Sequence, residues 1–193
     1  AAELALERPG IDSLDICYLA DSNTSVASTM SFLRMLTKDQ FYLEHDAMCT
    51  WPQATAFPVA IPGVHRVLNA LPWSGGGEPV WYEDDARVRN CSVLVAFRNQ
   101  AMLQAIVGIL VEFEQKHKHL PVDEQEKLTN ALGNQLVSVE PERESPALNR
   151  SLLCCHGRGN TESVSVVLRG NSPYIQTGIF AAEACRKILL GSH

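Results

Sequence analysis

The sequence predicts an α+β fold: a mixed, largely antiparallel sheet with helices packed on one face. Three observations predict it. Residues 11–20 and 87–98 alternate as strands do, with Leu14, Ile16 and Tyr18 on one side of the first and Cys17 and Leu19 on the other. Residues 99–119 repeat apolar side chains at helical spacing (Leu103, Ile106, Val107, Leu110, Phe113), and Glu112 and Glu114 begin the polar face. Hairpin signals recur and strands do not alternate regularly with helices, which sets the pattern apart from a doubly wound parallel sheet.

Each element has a local reason. The strand at 11–20 runs into a polar loop, and Ser28 or Thr29 is placed to cap a helix through Met30, Phe32, Leu33, Met35 and Leu36. Extended segments follow at 40–44 and 55–61. Pro62-Gly63 marks a turn, and 64–71 reads as a short helix stopped by Pro72. Past the flexible run Gly75-Gly76-Gly77, residues 78–83 and 87–98 read as an antiparallel strand pair. After the long helix comes a weaker one at 123–136, then a charged, proline-flanked surface connection over 138–146. Residues 148–156 and 162–169 read as a second hairpin around Gly157-Arg158-Gly159-Asn160. Pro173 suits the first position of a closing helix, and Gly191 its end.

The 193 residues, 46% hydrophobic and 20% charged, suffice for one domain with a core of its own, so disorder and fibrous classes are excluded. The net charge of −6, with no basic run longer than Lys116-His117-Lys118-His119, argues against a nucleic-acid partner. The apolar run 105–111 is far short of the roughly 20 residues of a membrane span, so no membrane partner is expected. Six cysteines without a Cys-x-x-Cys pair read as free thiols in a reducing, cytoplasmic setting, although the Asn-x-Ser/Thr triplets at Asn23, Asn90 and Asn149 would also suit secretion.

Few residues suggest chemistry. No phosphate-binding glycine fingerprint is present, and Gly75-Gly76-Gly77 lacks the Lys-Ser/Thr of a P-loop. His117 and His119 are spaced for different helix faces, and no set completes the His45–Cys49 pair, so no metal site is expected. His65, after the Pro62-Gly63 turn, and His156, at a strand end, are candidate pocket acids or bases. The loop after the first strand gathers Asp21, Asn23, Ser25, Ser28 and Thr29, with Ser22 and Thr24 between them. It is either a polar ligand-facing junction or a well-capped connection. Trp51, Trp73, Trp81 and Tyr82 either pack the core or line a pocket or interface.

The last forty residues add a resemblance. Residues 163–170, then Pro173-Tyr174, Thr177-Gly178, Ala181-Ala182-Glu183-Ala184 and Leu189-Leu190-Gly191, look like the closing hairpin and helix of saccharopine dehydrogenase-like reductases. Residues 10–15 and Ser25-Val26-Ala27-Ser28-Thr29 are similar to the first strand and polar turn of the second domain of that family, and the segment from Phe57 to Val64 fits its middle. The resemblance implies the C-terminal half of a two-domain protein: a substrate and dimerisation domain without its Rossmann domain. It implies no cofactor bound by this chain alone, NAD(P) for the full-length protein, a small-molecule substrate facing Asp21–Thr29, and Tyr174 and Thr177 at the domain junction. Two other readings stay open. One is a stand-alone α+β module that binds a ligand or dimerises without catalysis; the other is a small hydrolase or isomerase using His65 or His156.

Overall fold

A computed structural model describes residues 1–20, 24–142, 145, 147 and 151–191. Among the described residues, eight strands form one sheet: β1 (Ile11–Ala20), β2 (Phe41–Glu44), β3 (Ala47–Thr50), β4 (Phe57–Val59), β5 (Leu68–Pro72), β6 (Asn90–Phe97), β7 (Ser151–Gly159) and β8 (Ser163–Gly170). The main path runs β3-β2-β6-β1-β7-β8; β5 pairs with the second half of β6 and carries β4. β1 and β6 are parallel, from Ser13 beside Asn90 to Ala20 beside Phe97, and the other pairings are antiparallel. The fold is therefore the expected α+β, with a mixed and mostly antiparallel sheet.

The helices are α1 (Ala2–Leu6), α2 (Val26–Leu36), α3 (Glu78–Trp81), α4 (Gln100–Lys116), α5 (Val122–Leu136) and α6 (Pro173–Leu189). β1 lies between two neighbours, and its second half is apolar on both faces, with Ile16 on one and Cys17 and Leu19 on the other. On one face Leu14 and Ile16 pack with Cys91, Val93, Cys155 and Ala5 of α1. On that same face Val95 and Phe97 meet Leu33 and Leu36 of α2 and Leu103, Ile106 and Leu110 of α4. On the other face Cys17, Leu19, Cys154 and Ala96 are covered by Ile61 and Leu68, from the β4–β5 region rather than from a helix. α4 forms where its apolar period is strongest, and the Asn99 side chain accepts the Met102 N–H at 3.2 Å to cap it. α5 lies against α2 so closely that a Cβ on Gly133 would sit 2.8 Å from the Met30 Cα. α6 buries none of its side chains, and Ile179, Phe180, Ile188 and Leu189 are exposed.

Several local expectations are corrected. Residues 78–83 hold α3 instead of a strand, because Pro79 stands in the first turn and fixes a helical φ there. The partner expected for 87–98 is thus missing, and β6 pairs in parallel with β1 instead. Residues 64–71 are not a helix: the chain turns after Ile61 and enters β5, where Leu68, Ala70 and Leu71 are buried and the edge of β6 supplies the hydrogen bonds. β3 and α1 were not expected. β3 arises because His45 and Asp46 adopt positive φ (51° and 64°), which turns the chain back on β2. The cap of α2 is Ser25 rather than Ser28 or Thr29, its Oγ accepting the Ser28 N–H at 3.1 Å. Gly157-Arg158-Gly159 is not the hairpin turn but the last part of β7. A Cβ on Gly159 would lie 1.8 Å from the Gly10 carbonyl oxygen, so that glycine serves close strand approach.

Candidate functional site

Among the described residues, a pair of neighbouring cavities lies on the helical face of the sheet. The larger, about 470 Å³, has Tyr18 and Leu153 of the sheet in its floor, Phe32 of α2 and Trp73 on one side, and Tyr174 and Phe180 of α6 on the other. The Phe32 and Trp73 rings stack at 4.8 Å, and Phe97 meets Phe32 edge-on at 5.4 Å, so this wall is rigid and aromatic. Thr24, Ser151, Gln176 and Thr177 add polar groups. Two hydrogen bonds hold the first turn of α6 here. The Ser25 N–H donates to the Tyr174 hydroxyl at 2.8 Å, and the Ser151 hydroxyl donates to Gln176 Oε1.

The smaller cavity, about 410 Å³, is lined by Ile16, Leu153, Trp81, Tyr82 and the acidic residues Glu3, Glu78 and Asp85. Leu153 belongs to both walls. Tyr18, in the wall of the larger cavity, donates its hydroxyl proton to Glu78 Oε1, in the wall of the smaller. Burial, and then the Glu78 carboxylate, push the Tyr18 phenol far above its usual range. Glu78 is only 7% exposed, and its second oxygen is buried without a hydrogen-bond partner. Arg87 bridges Glu3 and Asp85, at 3.3 and 2.6 Å, and its side-chain and backbone hydrogen bonds to Asp85 hold that carboxyl down to about 2.

The candidates from sequence divide sharply. Tyr174 and Thr177 line the larger cavity, and Ser25 is tied to it through Tyr174. Ser28 and Thr29 do not line it: Ser28 belongs to the cap, and Thr29 is buried with its hydroxyl on the Ser25 carbonyl at 2.9 Å. Asp21 and Asn23 lie outside the described residues. His65 is exposed in the bend before β5 and lines neither cavity. His156 lies on the opposite face of the sheet, with Nε2 3.3 Å from Cys154 Sγ and Nδ1 2.8 Å from Ser165 Oγ. That Cys–His contact is no nucleophile pair, because Cys154 is fully buried and its burial raises the thiol pKa.

Sequence reasoning missed Tyr18 and Glu78. Tyr18 read as one more alternating strand residue and Glu78 as part of a strand; only the pairing of distant elements joins them. Among the described residues no group of His, Cys, Asp or Glu is arranged to hold a metal ion, and no helix is long and apolar enough to cross a membrane. The described wall of the larger cavity carries no Lys, Arg or His, and the Ser25 side chain caps the nearby N-terminus of α2.

Residues 1–192 match a family described as a family of unknown function (DUF5938), and the chain belongs to it. No curated protein matches. Among solved structures, the chain is similar to apo histidine-tagged saccharopine dehydrogenase (L-Glu forming) from Saccharomyces cerevisiae, at 15% identity and a TM-score of 0.46. The match covers 94% of this chain and 59% of that one, so the chain spans less than two thirds of that protein.

Proposed function

We propose that this member of a family of unknown function binds a small molecule in the larger cavity. We further propose that it serves as the substrate and dimerisation domain of a saccharopine dehydrogenase-like, NAD(P)-linked oxidoreductase. The observation that carries the first statement is the cavity itself. Its volume of about 470 Å³ lies within the roughly 300–1,000 Å³ of small-molecule sites, and it joins an apolar aromatic wall to a few polar groups. The sequence resemblance of the closing strand, Pro173-Tyr174 turn and helix supports the second, since Tyr174 and Thr177 stand in that wall. In this reading a separate nucleotide-binding domain holds the nicotinamide, and this chain binds and orients the substrate.

An environment-sensitive apolar dye tests the cavity. It is expected to bind the native chain with enhanced emission, and Thr177→Trp, which fills the space beside α6, is expected to abolish that signal. Unchanged dye binding in the variant overturns the cavity reading. The alternative of a stand-alone binding module draws on the absence of Lys, Arg and His from the described wall. N-terminal sequencing of the polypeptide from its source separates the two. An upstream strand–Gly-x-Gly-x-x-Gly–helix unit supports the reductase domain, and a native chain without one overturns it.

A further inference from the structure

We infer that the ligand of the larger cavity is an apolar, uncharged carbonyl compound (a ketone, ester or amide), with its body on the Phe32–Trp73 wall and its carbonyl oxygen at the Tyr174 hydroxyl and Gln176 amide of α6. The inference deepens the cavity reading above by naming the class of small molecule, and it rests on that reading.

The hydrogen bonds of the wall carry it. Most of the lining is apolar, so the few polar side chains decide how a ligand is oriented. Most of those have already spent their protons. Tyr18 donates to Glu78, and the Ser151 hydroxyl donates to Gln176 Oε1. Thr177 donates to the Pro173 carbonyl at 2.7 Å. Thr29 gives its proton to the Ser25 carbonyl at 2.9 Å, so in the 2.6 Å contact between Thr24 and Thr29 the donor is Thr24.

The unspent donors both stand at the start of α6. Tyr174 accepts the Ser25 N–H, and its own O–H proton has no acceptor among the described residues. Gln176 uses its Oε1 for Ser151, which leaves the Nε2 protons without a described acceptor. Both groups are within reach of a ligand: Tyr174 is 44% exposed, and Gln176 Nε2, unlike the second oxygen of Glu78, is not sealed from solvent. When a ligand displaces water, a donor left without an acceptor costs more than a hydroxyl oxygen with an unfilled lone pair. The ligand must therefore bring an acceptor to α6. Both donors are neutral, so a carboxylate would exchange its hydration for two uncharged hydrogen bonds, at far greater cost than a carbonyl.

The test is displacement of the bound apolar dye from the 193-residue chain by 2-acetylnaphthalene, 2-isopropenylnaphthalene and 2-naphthoate, which share one ring system and differ in the attached group. The ketone is expected to bind about tenfold tighter than the alkene, in which a methylene replaces the oxygen, and tighter than the carboxylate. A cavity without unspent donors reverses the order of the first pair, because the alkene is the less hydrated of the two. The double substitution Tyr174→Phe with Gln176→Leu removes both donors and is expected to bring the ketone-to-alkene ratio to about one or below. Ketone and alkene have the same shape, so a general loosening of α6 leaves that ratio unchanged. Equal binding of ketone and alkene, a preference for the alkene, tightest binding of the carboxylate, or a ketone preference that survives the double substitution overturns the inference and leaves the cavity reading intact. Failure of the dye to bind, or displacement by none of the three, overturns the cavity reading itself. If the double variant does not fold, the order on the unchanged chain decides the matter alone.

Discussion

The hydroxyl of Tyr174 accepts the backbone N–H of Ser25 at 2.8 Å, across 149 residues of sequence. This contact ties the capped start of α2 to the first turn of α6, and the larger cavity lies between those two helices and the sheet. Ser25 thus serves twice, through its side chain as a cap and through its amide as an anchor.

The two serines of that cap are expected to differ. Ser25→Ala removes the acceptor for the Ser28 N–H and should cost about 1 kcal/mol. Ser28→Ala leaves that acceptor in place and should cost less than about 0.5 kcal/mol. Urea unfolding of both variants checks the order.

Two helical glycines should respond with opposite signs. Gly133→Ala drives a methyl against the Met30 backbone and is expected to destabilise by about 1–3 kcal/mol. Gly108 is exposed in α4 with nothing within 4 Å of a new Cβ, so Gly108→Ala should stabilise by about 0.5–1 kcal/mol. Denaturant midpoints moving in the same direction would contradict this.

Phe32→Ala should enlarge the cavity and loosen its wall, since that ring touches both Trp73 and Phe97. A loss of about 2–4 kcal/mol is expected, with a red shift of tryptophan emission as water reaches Trp73. A blue shift, or no loss of stability, would show that the ring is not part of the wall.

The thiols give a pH dependence. Burial pushes Cys17 and Cys155 up to about 12, against an ordinary 9.0, and raises Cys91 and Cys154 as well. A group whose pKa is raised by folding contributes stability that is fully present below its unfolded value and is lost as pH climbs to the folded one. Stability should therefore be flat in this respect below pH 9 and decline from there towards 12. Thermal unfolding from pH 8 to 11 checks the sign. At pH 8 a thiol reagent should modify exposed Cys185 at once and the four buried cysteines only on unfolding.

What the sequence revealed depended on how local the cause was. α4 was legible because Leu103, Ile106, Leu110 and Phe113 state their own period, and α6 because Pro173 marks its start. β5 was not, since Leu68–Pro72 is extended only because the edge of β6 holds it. Pro79 did carry a local signal for α3, which the alternation of neighbouring apolar residues obscured. The same rule governs the site. Tyr174 and Thr177 were found through a contiguous motif, while Tyr18 and Glu78 acquire meaning only from a contact across 60 residues.

The placement of β1 has a consequence for the order in which this domain is made. Its two neighbours come much later: Asn90 of β6 reaches Ser13 across 77 residues, and Arg158 of β7 reaches Asp15 across 143. On the ribosome the central strand must wait, with Leu14, Ile16, Cys17 and Leu19 uncovered, until nearly the whole domain has emerged. Closing such distant pairings is slow, so refolding should be slow for a domain this size, and the nascent segment bearing β1 is the one that needs a chaperone's cover.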